Sequence, residues 1–113
     1  MITRKDNQTT SIRERMRDGS GCAQLTALVS ELPANARLFS TITLEPGSSI
    51  GYHVHENETE LFYFVSGYAR VRDDDAFYEL TAGDAMATSS GHGHAVESIG
   101  PEPLVMVACI IKD

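Results

Sequence analysis

The sequence predicts an all-β fold, an antiparallel sandwich or barrel, on three observations. Apolar and polar residues alternate with period two in several segments. Turns rich in Gly and Pro punctuate the chain at intervals of roughly ten residues, and no stretch long enough for an ordinary helix repeats its apolar residues at helical spacing.

The elements follow in order. Residues 1–21 are polar and read as an N-terminal arm packing on the barrel or on a dimer partner, with 12–17 the nearest approach to a helical piece. The barrel domain is expected over 22–113. Its first strands are 22–29 and 36–44, separated by Pro33, Ala34 and Asn35. In the second, Leu38, Ser40, Ile42 and Leu44 share one face and Arg37, Phe39, Thr41 and Thr43 the other, as in a sheet with one wetter side. Glu45-Pro46-Gly47-Ser48 is a turn, because Pro pre-sets one backbone angle and Gly accepts a positive one. A strand begins near Ile50. The run 59–65 is rich in aromatic and branched residues, and after Ser66-Gly67 the segments 68–72 and 76–80 pair around Asp73-Asp74-Asp75. That acidic triplet lacks the downstream Gly and Glu of a calcium loop and reads as a solvated hairpin tip. Short strands at 85–88 and 94–98 follow, and 104–111 is nearly all apolar, as expected of a strand covered on both faces.

Composition narrows the function classes. A chain of 113 residues has the size of one domain with one core. Its net charge is −7, yet residues 1–17 hold five of the nine basic side chains; the rest carries four basic and fourteen acidic residues, a net of −10. Such a body repels phosphate backbones, so no nucleic-acid partner is expected, and the basic opening segment reads as an arm lying on the acidic body in preference to an anion-binding tail. No apolar run has the length of a membrane span and the opening residues lack the apolar stretch of a secretory signal, which makes a cytoplasmic location the expectation. Cys22 and Cys109 have no motif spacing and read as two reduced, buried thiols.

Four residues form the chemical signature. His53 and His55 are two apart on an extended segment and leave one face together. Glu60 opens the next strand, sharing its inward face with Phe62 and Phe64, and His94 arrives from a later strand. Three imidazoles and a carboxylate suit a divalent transition metal and leave one or two coordination positions for a small-molecule ligand or substrate. Glu56 and His92 flank this set: His92, at the same parity as His94, and Glu56 are the candidate proton carriers, with a loop histidine and a solvated turn as the plainer readings. Leu61, Tyr63 and Val65 lie opposite Glu60 and suggest a covered outer face, through sheet packing or a homodimer.

The series Gly47-x5-His53-x-His55-x4-Glu60-x6-Gly67 resembles, position for position, the first motif of the cupin superfamily. The second motif is recognisable as Gly83-x5-Ser89-x-Gly91-x2-His94-x3-Ser98, with Ser89 where the family has Pro and Ser98 where it has Asn. The short stretch between the motifs is similar to that of small single-domain microbial cupins. The resemblance implies an antiparallel double-stranded β-helix, or jelly-roll barrel, that holds one Mn, Fe, Ni, Co, Cu or Zn ion through His53, His55, Glu60 and His94, commonly in a homodimer. It leans toward a metal-dependent oxygenase, decarboxylase or isomerase acting on a polar, oxygen-bearing small molecule. A non-catalytic module that binds a sugar or small acid is the alternative.

Overall fold

The structure, a computed structural model, describes all 113 residues as ten strands and two single-turn 3₁₀ helices. The strands are β1 (Thr9–Glu14), β2 (Cys22–Ala27), β3 (Ala36–Leu44), β4 (Ser49–Val54), β5 (Glu58–Ser66), β6 (Tyr68–Asp73), β7 (Ala76–Thr81), β8 (Ala85–Thr88), β9 (Gly93–Ser98) and β10 (Leu104–Lys112). Two antiparallel sheets face each other, one in the order β1-β2-β3-β10-β5-β8 and one in the order β4-β9-β6-β7. From β3 to β10 the chain crosses between the two sheets at every step except the β6–β7 hairpin, as in a double-stranded β-helix.

The expected alternation sets the core. On β5, Glu60, Phe62 and Phe64 are buried while Leu61, Tyr63 and Val65 are exposed. Ile42 and Leu44 on β3, and Leu104 and Met106 on β10, face the same interior and are essentially fully buried. Burying each such side chain contributes about 1.5–3 kcal/mol. No helix is long and apolar enough to cross a membrane.

Three expectations change. Residues 9–14, inside the expected arm, form β1 and pair with β2 from Thr9↔Ala27 to Glu14↔Cys22; the helical piece at 12–17 is instead the end of this strand and a 3₁₀ turn at Met16–Asp18. Every β1 residue is exposed, so an edge strand held by backbone bonds leaves no period-two signal to read. Cys22 is exposed and Cys109 half-buried, because each alternates with an inward Ala, Ala23 and Ala108. β10 is covered on one face only: Val105, Val107 and Cys109 are half-buried and continue the exposed strip of β5.

Candidate metal centre

At one end of the barrel four side chains converge, and the local backbone explains how. Ile50 and His53 both face inward although they lie three residues apart, an odd number that simple alternation forbids. A β-bulge resolves this: β4 and β9 pair as Ile50↔Val96 and then His53↔His94, with one extra residue on β4. Bulges beside functional sites re-aim side chains in this way. Gly51 sits in the bulge, where an added Cβ would collide with the carbonyl of Arg17. His55 follows the end of β4, and a left-handed Asn57 (φ 61°) turns the chain into β5 so that Glu60 rises beside it. His94 lies across from His53 on β9.

His55, Glu60 and His94 are buried and His53 is partly so. The Nε2 atoms of His55 and His53 each lie 3.2 Å from His94 Nε2. Glu60 Oε1 is 3.1 Å from Nε2 of both His55 and His94. Ligands about 2.0–2.2 Å from one ion are separated by about 3 Å, so this spacing fits a single cation.

The far side of each ring fixes which nitrogen faces the centre. His53 Nδ1 donates to the Gly51 carbonyl at 2.7 Å, and His55 Nδ1 donates to Glu58 Oε2 at 2.6 Å. Both acceptors lack a hydrogen, so Nδ1 is the donor nitrogen of each ring and Nε2 is the nitrogen turned toward the centre. His94 Nδ1 is 2.7 Å from the hydroxyl of Thr88, and Phe62 stacks on the His94 ring at 5.0 Å and 14°. Burial lowers the pKa of His53 to about 4; the Gly51 bond opposes this, while the nearby His94, Arg17 and His55 reinforce it. Three ring nitrogens and a carboxylate oxygen so close together are a donor set that a cation in their midst would satisfy at once. This arrangement is the reverse of an ordinary hydrogen-bonded core histidine.

Two orienting groups escape a motif reading. Glu58 grips His55 and is itself held by Arg37 through two bonds of 2.8 and 2.7 Å. These contacts, the Arg37 guanidinium foremost, lower the pKa of Glu58 to about 2. Its parity with Glu60 on β5 was the available signal. Thr88 is paired with Glu60 across β8, a relation set only by strand register.

The cavity above the centre has a volume of about 420 Å³ and is lined by His53, His55, Glu60 and His94 together with apolar core residues and Arg13, Glu14, Arg15, Met16, Arg17 and Arg37. Glu56 and His92 do not line it. Glu56 is exposed in the turn after His55, and His92 points to solvent, where its Nδ1 lies 2.6 Å from Asp74 Oδ2. Asp74 also accepts the backbone N–H of Gly93 at 3.0 Å, so the acidic hairpin tip ties down the loop before β9. Tyr52, alternating away from His53, is partly exposed with the Arg72 guanidinium 3.8 Å above its ring. Ser98, standing at the Asn position of the second motif, is fully buried with no partner for its hydroxyl.

Fold and site together define a class: a small double-stranded β-helix with a centre of three histidines and one glutamate that can hold a metal ion. Residues 40–110 match the family described as Cupin domain, and the chain belongs to that family. It is similar, at 35% identity over 98% of this chain and 93% of the relative, to the oxalate-binding protein of Thermotoga maritima. A crystal structure from T. maritima described as a predicted oxalate decarboxylase superposes with a TM-score of 0.94, at 35% identity and full coverage of both chains. Oxalate decarboxylase of Bacillus subtilis is 40% identical over 64% of this chain, but only 20% of that longer protein is covered.

Proposed function

We propose that this protein holds one divalent transition metal through His53, His55, Glu60 and His94 and binds a small carboxylate anion of the oxalate class at it. The observation that carries this reading is the convergence of three Nε2 atoms and Glu60 Oε1, all within 4.8 Å of one another, at the floor of an open cavity. When bound, the ion supplies Lewis acidity and free coordination positions that a chelating anion can occupy. Gly51, Glu58 and Thr88 hold the rings in register, while Phe62 and Ile42 keep the floor dry. The name of the T. maritima relative supports oxalate as the first ligand to try.

Binding without turnover is the reading that needs fewest added parts, because Glu56 and His92 lie outside the cavity. A second reading is decarboxylation, in which oxalate and one proton give formate and carbon dioxide. It is favoured by one placement: Glu14, at the end of β1, lines the cavity without being one of the four converging residues. Metal analysis followed by calorimetric titration with oxalate tests the first reading, and formate release in the same samples tests the second. Metal-loaded protein that takes up no oxalate refutes both. The apolar strip of exposed Leu61 and Tyr63 on β5 and half-buried Val107 and Cys109 on β10 supports a homodimer, its charge-free surface matching a second copy across a two-fold axis. Light scattering of Tyr63→Glu should then report a monomer; a wild-type chain already monomeric at high micromolar concentration would exclude the dimer.

A further inference from the structure

We propose that Arg13, Arg15 and Arg17, carried by β1 and the turn behind it, form a cationic rim that selects anions for the cavity and grips the outward-facing oxygens of the bound carboxylate. The assignment rests on the ligand class proposed above and gives the N-terminal segment a function of its own. All three residues line the same cavity as His53, His55, Glu60 and His94. None of their guanidinium groups makes a hydrogen bond or ion pair within the chain, although the body beyond residue 17 is strongly acidic. Arg37, the fourth arginine of the cavity, is by contrast fully committed to Glu58. Three unpaired cations outnumber the two carboxylates of the cavity lining, Glu14 and Glu60, and leave positive charge for an incoming anion to neutralise.

The rim is built into the fold. β1 is paired with β2 over six residues, and Arg15 N–H donates to Gly21 O at 2.8 Å. Ser49 N–H donates to Ser20 O at 2.8 Å and the Ser20 hydroxyl to Gly47 O at 2.7 Å, which fastens the turn to β4. Met16 packs against the core between the two arginines. Arg15 (φ 49°), Arg17 (φ 55°) and Asp18 (φ 63°) all occupy the left-handed region. Non-glycine residues there cost about 1 kcal/mol each or more, a strain that clusters at ligand clamps. Gly19 and Gly51 permit the close backbone approach that this path requires. The left-handed turn through Arg15, Arg17 and Asp18 sets Arg15 and Arg17 at this mouth.

The test uses the full chain loaded with cobalt(II), whose visible spectrum reports a new ligand. Wild type, Arg13→Gln, Arg15→Gln, Arg17→Gln and the triple Gln variant are titrated with oxalate and separately with imidazole, a neutral metal ligand. Each single change is expected to weaken oxalate by about threefold to tenfold and the triple by about 100-fold, with cobalt content and imidazole affinity unchanged. A triple Lys variant should keep most of the oxalate affinity. Because the left-handed positions can make variants fold poorly, wild-type oxalate binding is also followed against salt, where it should fall as ionic strength rises. Equal oxalate affinity in wild type and the triple Gln variant, or an affinity indifferent to salt, overturns the rim while leaving the ligand class standing. Wild type that holds cobalt but ignores oxalate removes the ligand class, and the rim with it.

Discussion

Glu58 offers a sharp test because it touches neither ligand nor cavity floor and yet is expected to set metal affinity. It accepts the Nδ1 proton of His55 at 2.6 Å and holds Arg37 through two further bonds, with its own side chain 13% exposed. Glu58→Gln keeps the shape and an acceptor oxygen but loses the charge that makes His55 a stronger donor toward a metal. Removing such a partner typically costs 10- to 100-fold in metal affinity, or about 1.4–2.7 kcal/mol, and we expect the lower end for Gln and the upper for Ala. Stability without metal should fall less, by about 1 kcal/mol, because Arg37 is 46% exposed and water screens its pair with Glu58. Chelator-competition titrations with zinc and cobalt measure the first effect and urea unfolding with a chelator present measures the second. Arg37→Met should reproduce about half of the affinity loss, and the double variant should lose less than the sum, since both changes act through one ring. A folded Glu58→Ala protein that binds metal as tightly as wild type would refute the claim that this carboxylate orients His55.

Further outcomes follow from other parts of the structure. The bond to Asp74 raises the pKa of His92, so its imidazole resonances should titrate above the ordinary 6.5 and return toward it in Asp74→Asn. The Gly93 N–H and His92 lower the pKa of Asp74; the pair therefore contributes fully between about pH 4 and 6.5. Its contribution fades as acid protonates Asp74 below that window and as His92 loses its proton above it, and a stability profile of Asp74→Asn against wild type should converge outside these limits. Ser98→Ala removes a buried hydroxyl without a partner and should be neutral or stabilising by up to about 1 kcal/mol in denaturant melts; a clear loss would mean the hydroxyl is satisfied. Gly51→Ala drives a methyl group into the carbonyl of Arg17 and should cost about 1–3 kcal/mol while loosening His53, seen as lower melting temperature and weaker metal uptake together. Wild-type values for both would show that the turn yields freely.

The sequence alone determined the strand succession from β2 onward and the converging residues. Period-two burial on β3 and β5 follows from side-chain geometry on a pleated strand, so Ile42, Leu44, Phe62 and Phe64 were legible as core before any coordinates. The spacing of His53, His55, Glu60 and His94 carried the candidate centre, because those residue types at those intervals have few other uses. Tertiary structure decided what depends on register and on edges. The bulge that turns His53 inward after Ile50 is set by the pairing of β4 with β9, and Gly51 alone does not tell which residue is the extra one. The roles of Glu58 and Thr88 follow from which strands lie side by side. The basic N-terminal segment looked like a solvated arm because a fully exposed edge strand is held by backbone hydrogen bonds, which every residue can make. Only the closed barrel brings its arginines to the mouth above His53.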